Sequence, residues 1–538
     1  MTSAHIAAQT AEQSITPSPV DALYQSATIA QMYRAALRAH PQREALVAGE
    51  QRLSYEQLAR ACWRTMHALA ALGLKRQDAV AVLATNSTES VVAIVAAQLM
   101  GLVYVPLHPL GSEEDQAFVL ADAGVKALVL DLPRHAERGR TLAARGIVAH
   151  VLTLGAADFG IDLLAACASQ GDSEPADEVQ PTDILKIAYS GGTTGKSKGI
   201  VHHHRTVVTS ALQQLAGWEW PAQVRFLAAT PVSHAAGAMI LTTLLRGGSV
   251  HLLDRFTPEA FLATVARERI TSTFLVPTQI YGLLDSPELC RHDIASLEVV
   301  IYGAAPMAPA RLVQALQRMG PVFAQVYGQA EAPMTISYLR RDEHDPQCPH
   351  LLGSCGRVLP GNLVKLLDAT GTEVPVEEIG ELCVRGPLVM SGYLNRREET
   401  ERVFENGWLH TGDMARRDAQ GFLYLVDRAK DMIISGGFNV YSSEVEGCLA
   451  QHPGVALSAV IGVPHAKWGE AVMAVVVAKP GAALSADELI AFVTQRKGVV
   501  QAPKFVELVD SLPLTPLDKV DKKALRARYW QDQQRQVA

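Results

Sequence analysis

From Thr28 onward, apolar positions alternate between two spacings. Residues 54–72 and 90–99 place them on one helical face, whereas 79–83, 103–106 and 125–130 are short, nearly continuous apolar runs. Such alternation predicts an α/β fold of layered subdomains around largely parallel sheets. Residues 174–182 form a charged, proline-containing linker into another apolar strand, 184–189, and the alternation then resumes to about residue 360. Residues 361–424 are short, glycine-rich and strand-like, which predicts a small β-unit. A last block carries helical spacing at 444–451 and 486–497 and strand spacing at 455–463 and 471–478, as in a small α+β domain. The expected organisation is a loose polar tail (1–25), a large N-terminal domain (26–427) and a small C-terminal domain (428–538). The most apolar stretch, 91–107, holds Gln98 and Gly101 and ends in prolines. It reads as a buried helix running into a strand, not as a membrane span.

Composition narrows the classes. Of 538 residues, 48% are hydrophobic and 19% charged, enough apolar material for several cores. The net charge of −7 argues against a nucleic-acid binder. Seven scattered cysteines without a Cys-x-x-Cys pair argue against a disulfide framework or structural zinc and fit a reducing, cytoplasmic setting. The N-terminus has no cationic stretch leading into an apolar core, so no secretory signal is expected.

The sharpest local signal is Tyr189-Ser190-Gly191-Gly192-Thr193-Thr194-Gly195-Lys196-Ser197-Lys198-Gly199, directly after an apolar strand. Glycines let backbone N–H groups turn inward, hydroxyls add donors and lysines add charge, the parts that wrap a polyphosphate. A Walker A loop fits only the end of this segment, because its first glycine would fall on Ser190. The loop instead resembles that of the adenylate-forming superfamily of acyl-CoA synthetases, luciferases and peptide-synthetase adenylation domains. It departs at Gly191, where serine is usual, and at Ser197, where proline is usual.

Further motifs follow in the family's order over about residues 28–530. Thr230-Pro231-Val232-Ser233-His234 resembles the acyl-pocket motif, although His234 alone would read as a packed histidine. Gly303-Ala304-Ala305 resembles the small-residue turn on which adenine stacks. Gln325-Val326-Tyr327-Gly328-Gln329-Ala330-Glu331 resembles Asn-x-Tyr-Gly-x-Thr-Glu, which implies Tyr327 beside adenine and Glu331 on magnesium, with Ala330 at the usual threonine. Trp408-Leu409-His410-Thr411-Gly412-Asp413 and Arg428 resemble the ribose-binding segments, and Lys430 stands at the hinge of a mobile C-terminal domain. Gly436-Gly437 resembles the segment that lines the pantetheine channel of CoA. Lys519 matches the lysine of the C-terminal motif, with Asp518 at the usual glycine.

The resemblance implies a two-step, ATP- and magnesium-dependent carboxylate–CoA ligase, with Lys519, Glu331, His234 and Lys198 as catalytic residues. Ser190, Gly191, Gly192, Thr193, Thr194 and Gly195 join Lys198, Gly303, Ala304, Ala305, Tyr327, Gly328, Asp413 and Arg428 in holding ATP. Ser233 and Val232 disfavour an amino acid, since amino-acid-activating relatives carry Asp just before this motif. The small wall after His234 admits a medium- or long-chain fatty acid or an aryl acid, or else merely packs helices. With 19 residues after Lys519, no fused carrier domain is expected, so the acceptor is CoA or a separate carrier protein. Ala330 and Asp518 leave a third reading, a nucleotide-binding homologue with impaired chemistry. The oligomeric state stays open, a homodimer included.

Overall fold

The computed structural model describes residues 27–190, 197–428, 431–435, 438–465, 467–515 and 519–530. The polar tail lies outside them, as do 191–196, Lys430, Gly436, Gly437 and Asp518.

Two large sheets dominate. The eight-stranded sheet runs in the order Gly392–Tyr393, Lys198–His203, Ile184–Ser190, Val103–Pro106, Ala79–Leu83, Val125–Asp131, His150–Leu154, Ile161–Asp162. From Ile184–Ser190 to the last strand all neighbours are parallel, and the other two strands add antiparallel. The nine-stranded sheet has a parallel centre of Phe323–Tyr327, Val299–Tyr302, Ser272–Leu275, Arg225–Ala228 and Ser249–Leu252.

These central strands are mostly apolar and largely buried because both faces are covered. In Ala79–Leu83, Val80 and Val82 face one core while Ala79, Ala81 and Leu83 face another. Helices Ile29–Ala39, Tyr55–Ala71 and Thr88–Leu99 fill the first of these cores. Thr28 and Ser54 start two of them with reciprocal capping boxes, each side chain accepting from the third helical N–H. The 174–182 linker is held against the first helix, where Glu174 accepts from Arg34 (2.5 Å) and Arg38 (2.7 Å).

The β-unit is a four-stranded antiparallel sheet, Leu363–Leu367, Gly380–Arg385, Leu409–Arg417 and Leu423–Arg428. Gly392–Tyr393, although inside the same stretch of sequence, instead pairs with Lys198–His203 of the eight-stranded sheet. The C-terminal part is a five-stranded sheet with the helices Ser442–Leu449, Ala486–Gln501 and Lys522–Ala527. Among the described residues, no helix is long and apolar enough to cross a membrane.

Parallel strands share one carboxyl edge, where open α/β sheets bind ligands. Arg225–Ala228 leads there to His234, Val299–Tyr302 to Gly303, and Phe323–Tyr327 to Glu331.

Candidate active site

The turns after these strands are dictated by close approach. A side chain at Gly328 would stand 2.3 Å from the Met334 backbone nitrogen, and one at Gly237 would stand 1.8 Å from the Val232 carbonyl oxygen. Only glycine fits either place. Ala304 sits in left-handed backbone (φ 68°) at the mouth of the Gly303-Ala304-Ala305 turn, a conformation that a small residue adopts at modest cost.

Asp413 is the centre of the best-defined cluster. It is buried, and one carboxylate oxygen accepts from the Tyr327 hydroxyl (2.7 Å) and from Gln329 Nε2 (2.6 Å). Its other oxygen pairs with Arg428 Nε at 3.2 Å, across the antiparallel register that sets Asp413 opposite Arg428. Glu381 braces the same turn, accepting from Gly412 N (2.8 Å) and pairing with His410 Nδ1 (2.7 Å). Burial and the Asp413 charge hold the Tyr327 phenol neutral, well above its ordinary pKa.

Lys519 reaches this cluster from the C-terminal part, in a turn where Thr515 N donates to the Lys519 carbonyl (2.7 Å). Burial and the neighbouring Arg428 charge push its pKa down to about 8, against the opposing pull of Asp413. Burial, with the charges of His108, Lys186 and Lys519, drives His234 down to about 3. His234 is therefore neutral, its Nδ1 sharing a hydrogen bond with Ser233 Oγ (2.8 Å) and its ring meeting His108 edge-on at 4.6 Å. A neutral imidazole of this kind shapes and polarises a pocket but is no proton carrier at pH 7.

Glu331 accepts from the Tyr393 hydroxyl (3.0 Å), and its backbone carbonyl accepts from Met390 N (2.8 Å). Lys198 is paired with Glu399 and lies 5.1 Å from the centre of the Tyr393 ring. Strand 392–393, laid beside Lys198–His203, thus brings Tyr393 to both expected phosphate-side residues. Ser190 ends its strand at the same edge, while Gly191, Gly192, Thr193, Thr194 and Gly195, the hinge Lys430 and the channel residues Gly436 and Gly437 lie outside the described residues.

Several neighbours were not singled out by motif. Asn86 ties the His234 loop to the sheet: its Nδ2 lies 3.0–3.1 Å from the carbonyls of Ala228, Thr230 and Leu253, and its Oδ1 accepts from Val232 N (2.8 Å). Gln329, Tyr393 and Glu399 carry no signal in an isolated sequence. Lys186 and His202 do carry one, being a cation and an imidazole inside otherwise apolar strands.

The AMP-binding enzyme family matches residues 33–394, and the AMP-binding enzyme C-terminal domain matches residues 444–519. The medium/long-chain-fatty-acid–CoA ligase FadD8 of Mycobacterium tuberculosis is 45% identical, with 93% of this chain and 90% of that protein covered. The feruloyl-CoA synthase of an Amycolatopsis species is 36% identical over 91% of this chain and 97% of its own. Among solved structures, the amide bond synthetase McbA from Marinactinospora thermotolerans superimposes with a TM-score of 0.86 at 35% identity, covering 93% of this chain and 100% of that one. The chain belongs to the AMP-binding enzyme family of adenylate-forming enzymes.

Proposed function

We propose that this carboxylate–CoA ligase works in two half-reactions on one site. A hydrophobic acid's carboxylate oxygen attacks the α-phosphorus of ATP and pyrophosphate leaves. The CoA sulfur then attacks the acyl carbon, losing its proton, and AMP leaves. The first half brings negative charge to negative charge, so the residues act chiefly by positioning and compensating charge. The carrying observation is Lys519, buried beside Asp413 and Arg428 and close enough to His234 to depress its pKa. On this reading the Lys519 ammonium serves both the nucleotide side and the acyl side and bridges the acid and the α-phosphate.

The other roles follow the same layout. Ser190, Gly191, Gly192, Thr193, Thr194 and Gly195 cradle the phosphates, and Lys198 joins them on exchanging Glu399 for phosphate. Gly303, Ala304, Ala305, Tyr327 and Gly328 leave a flat slot for adenine, and Asp413 with Arg428 takes the ribose hydroxyls. Glu331 suits Mg2+, since a single carboxylate plus substrate phosphates is this ion's usual donor set. When bound, the ion would neutralise phosphate charge. Residues 26–427 and 428–538 act as two bodies about Lys430, with Gly436 and Gly437 turning in to admit the pantetheine thiol. Seven free cysteines agree with a reducing, cytoplasmic setting.

The acyl side supports an acid without an α-amino group, because Ser233 and Val232 offer it no carboxylate. FadD8 is named for medium- and long-chain fatty acids and the Amycolatopsis protein for ferulate, so both aliphatic and aryl acids belong in the test. Pure protein is incubated with ATP, Mg2+ and such a panel, with and without CoA, while AMP and acyl-CoA are followed by mass. Acyl-CoA from one group of acids is the expected result. AMP without thioester would move the acceptor to a carrier-protein thiol or an amine. No pyrophosphate from any acid would leave the nucleotide-binding reading.

A further inference from the structure

Lys186 is a cation on a central strand, without a counterion among the described residues. Its strand, Ile184–Ser190, lies between Val103–Pro106 and Lys198–His203, in a register that sets Lys186 opposite Tyr104 on one side and His202 on the other. Residues paired across neighbouring strands project to the same face. The Lys186 amine accordingly stands 5.9 Å from the centre of the Tyr104 ring. On the same face, Ile200 packs with Tyr327 and Ala332, and His202 Nε2 donates to the Ala330 carbonyl (2.8 Å). This face therefore looks toward the segment that carries Glu331.

Three polar groups share this face with nothing among the described residues to bind. Lys186 makes no ion pair or hydrogen bond there, the Tyr104 hydroxyl is buried and unpartnered, and so is His202 Nδ1. Because His202 Nε2 carries the proton given to the Ala330 carbonyl, Nδ1 is left as an acceptor. Lys186 and Tyr104 are donors. Lys186 itself retains some accessible surface, whereas Tyr104 and His202 are buried. Burial lowers its pKa to about 8, which leaves it mostly protonated at pH 7. The strand that carries Tyr104 runs on to His108, whose ring meets His234 at 4.6 Å, and so ties this cluster to the acyl site.

We propose that Lys186, Tyr104 and His202 form a polar subsite within the acyl pocket that selects acids bearing an oxygen substituent, a hydroxyl above all, on an otherwise apolar tail. A hydroxyl accepts from Lys186 and Tyr104 and donates to His202 Nδ1, whereas a keto group uses only the two donors. A plain hydrocarbon tail leaves an unpaired buried cation and is penalised for it. The proposal rests on the carboxylate–CoA ligase reading and narrows its substrate class.

The test compares matched acids that differ only in the substituent. A positional series of hydroxy- and keto-substituted phenylpropanoic and octanoic acids is set against the unsubstituted parents. Both kcat/KM for acyl-CoA formation and direct binding by calorimetry are measured, in wild type and in Lys186→Met and His202→Leu. The best hydroxy acid should exceed its parent by about 10- to 100-fold in wild type, the range for a hydrogen bond to a charged group. Lys186→Met should collapse that ratio at least tenfold, mainly through KM and the calorimetric Kd. His202→Leu should remove the advantage of hydroxyl over keto while keeping that of keto over parent. Thermal melting and ATP binding check that each variant is folded. Equal ratios in wild type and Lys186→Met would overturn the subsite. If the acids bind with the predicted ratios but none is turned over, the ligase reading fails and the subsite stands. If plain acids are turned over as well as their hydroxy counterparts, the ligase reading stands and the subsite fails.

Discussion

At the scale of single residues, the site is a problem in keeping buried charges useful. Burial drives His234 to about 3 and His108 to about 4, so both stay neutral at any working pH and the positive charge is left to lysine and arginine. Lys519 is brought down to about 8 by burial and by Arg428, with Asp413 pulling the other way. A lysine lowered in this way is charged below about pH 8 and neutral above it. The role assigned to it needs the charged form, so kcat/KM for ATP, which reports the free enzyme, should fall with a single ionisation near pH 8. The limb should persist in Lys186→Met, since the role proposed for Lys186 concerns the acid's tail and not ATP. A profile flat to pH 10 would mean that Lys519 is not the ionising group. The Asp413 cluster shows the opposite strategy, with Tyr327 and Gln329 on one carboxylate oxygen and Arg428 on the other.

Elements are held in place by side chains that never touch the chemistry. Asn86 lies between strand Ala79–Leu83 and helix Thr88–Leu99, yet it binds three carbonyls and one N–H of the nine-stranded sheet and its His234 loop. Asn86→Ala leaves these buried groups unpaired, and the loss of stability in denaturant melts should be about 2–3 kcal/mol, with a raised KM for the acid. A loss below about 0.5 kcal/mol would mean that water or a neighbour replaces the amide. Nothing in the local sequence announces Asn86, since its partners are more than 140 positions away. Most elements, by contrast, were legible from spacing alone. The 79–83 and 103–106 strands coincide with those of the structure, and 54–72 becomes Tyr55–Ala71 because Ser54 serves as the cap. The motif residues were legible by resemblance, and the structure gathers Tyr327, Asp413, Arg428 and Lys519. Tyr393 was not legible, because the two-residue strand that delivers it to Glu331 departs from the β-unit around it. Lys186 was passed over because one polar residue scarcely disturbs the apolar pattern of a seven-residue strand.

For the whole molecule, the arrangement separates labour between its parts. The two large sheets and the β-unit carry His234, the Gly303-Ala304-Ala305 turn and the Asp413 cluster, whereas the C-terminal part carries Lys519. In the structure Lys519 is buried within reach of the Arg428 and Asp413 charges, which suits the adenylation role proposed for it. In the proposed mechanism the same ammonium has no task once the acyl-adenylate exists, and the proposed rotation about Lys430 brings Gly436-Gly437 in instead. The central claim is therefore that one lysine serves one half-reaction. Single-turnover kinetics of Lys519→Ala test it directly, with adenylate formation and thioester formation from preformed acyl-adenylate timed separately. Adenylation should slow by about 100- to 1,000-fold, the loss typical of one preorganised donor, while thioester formation stays within about twofold of wild type. Equal losses in both halves would contradict the account.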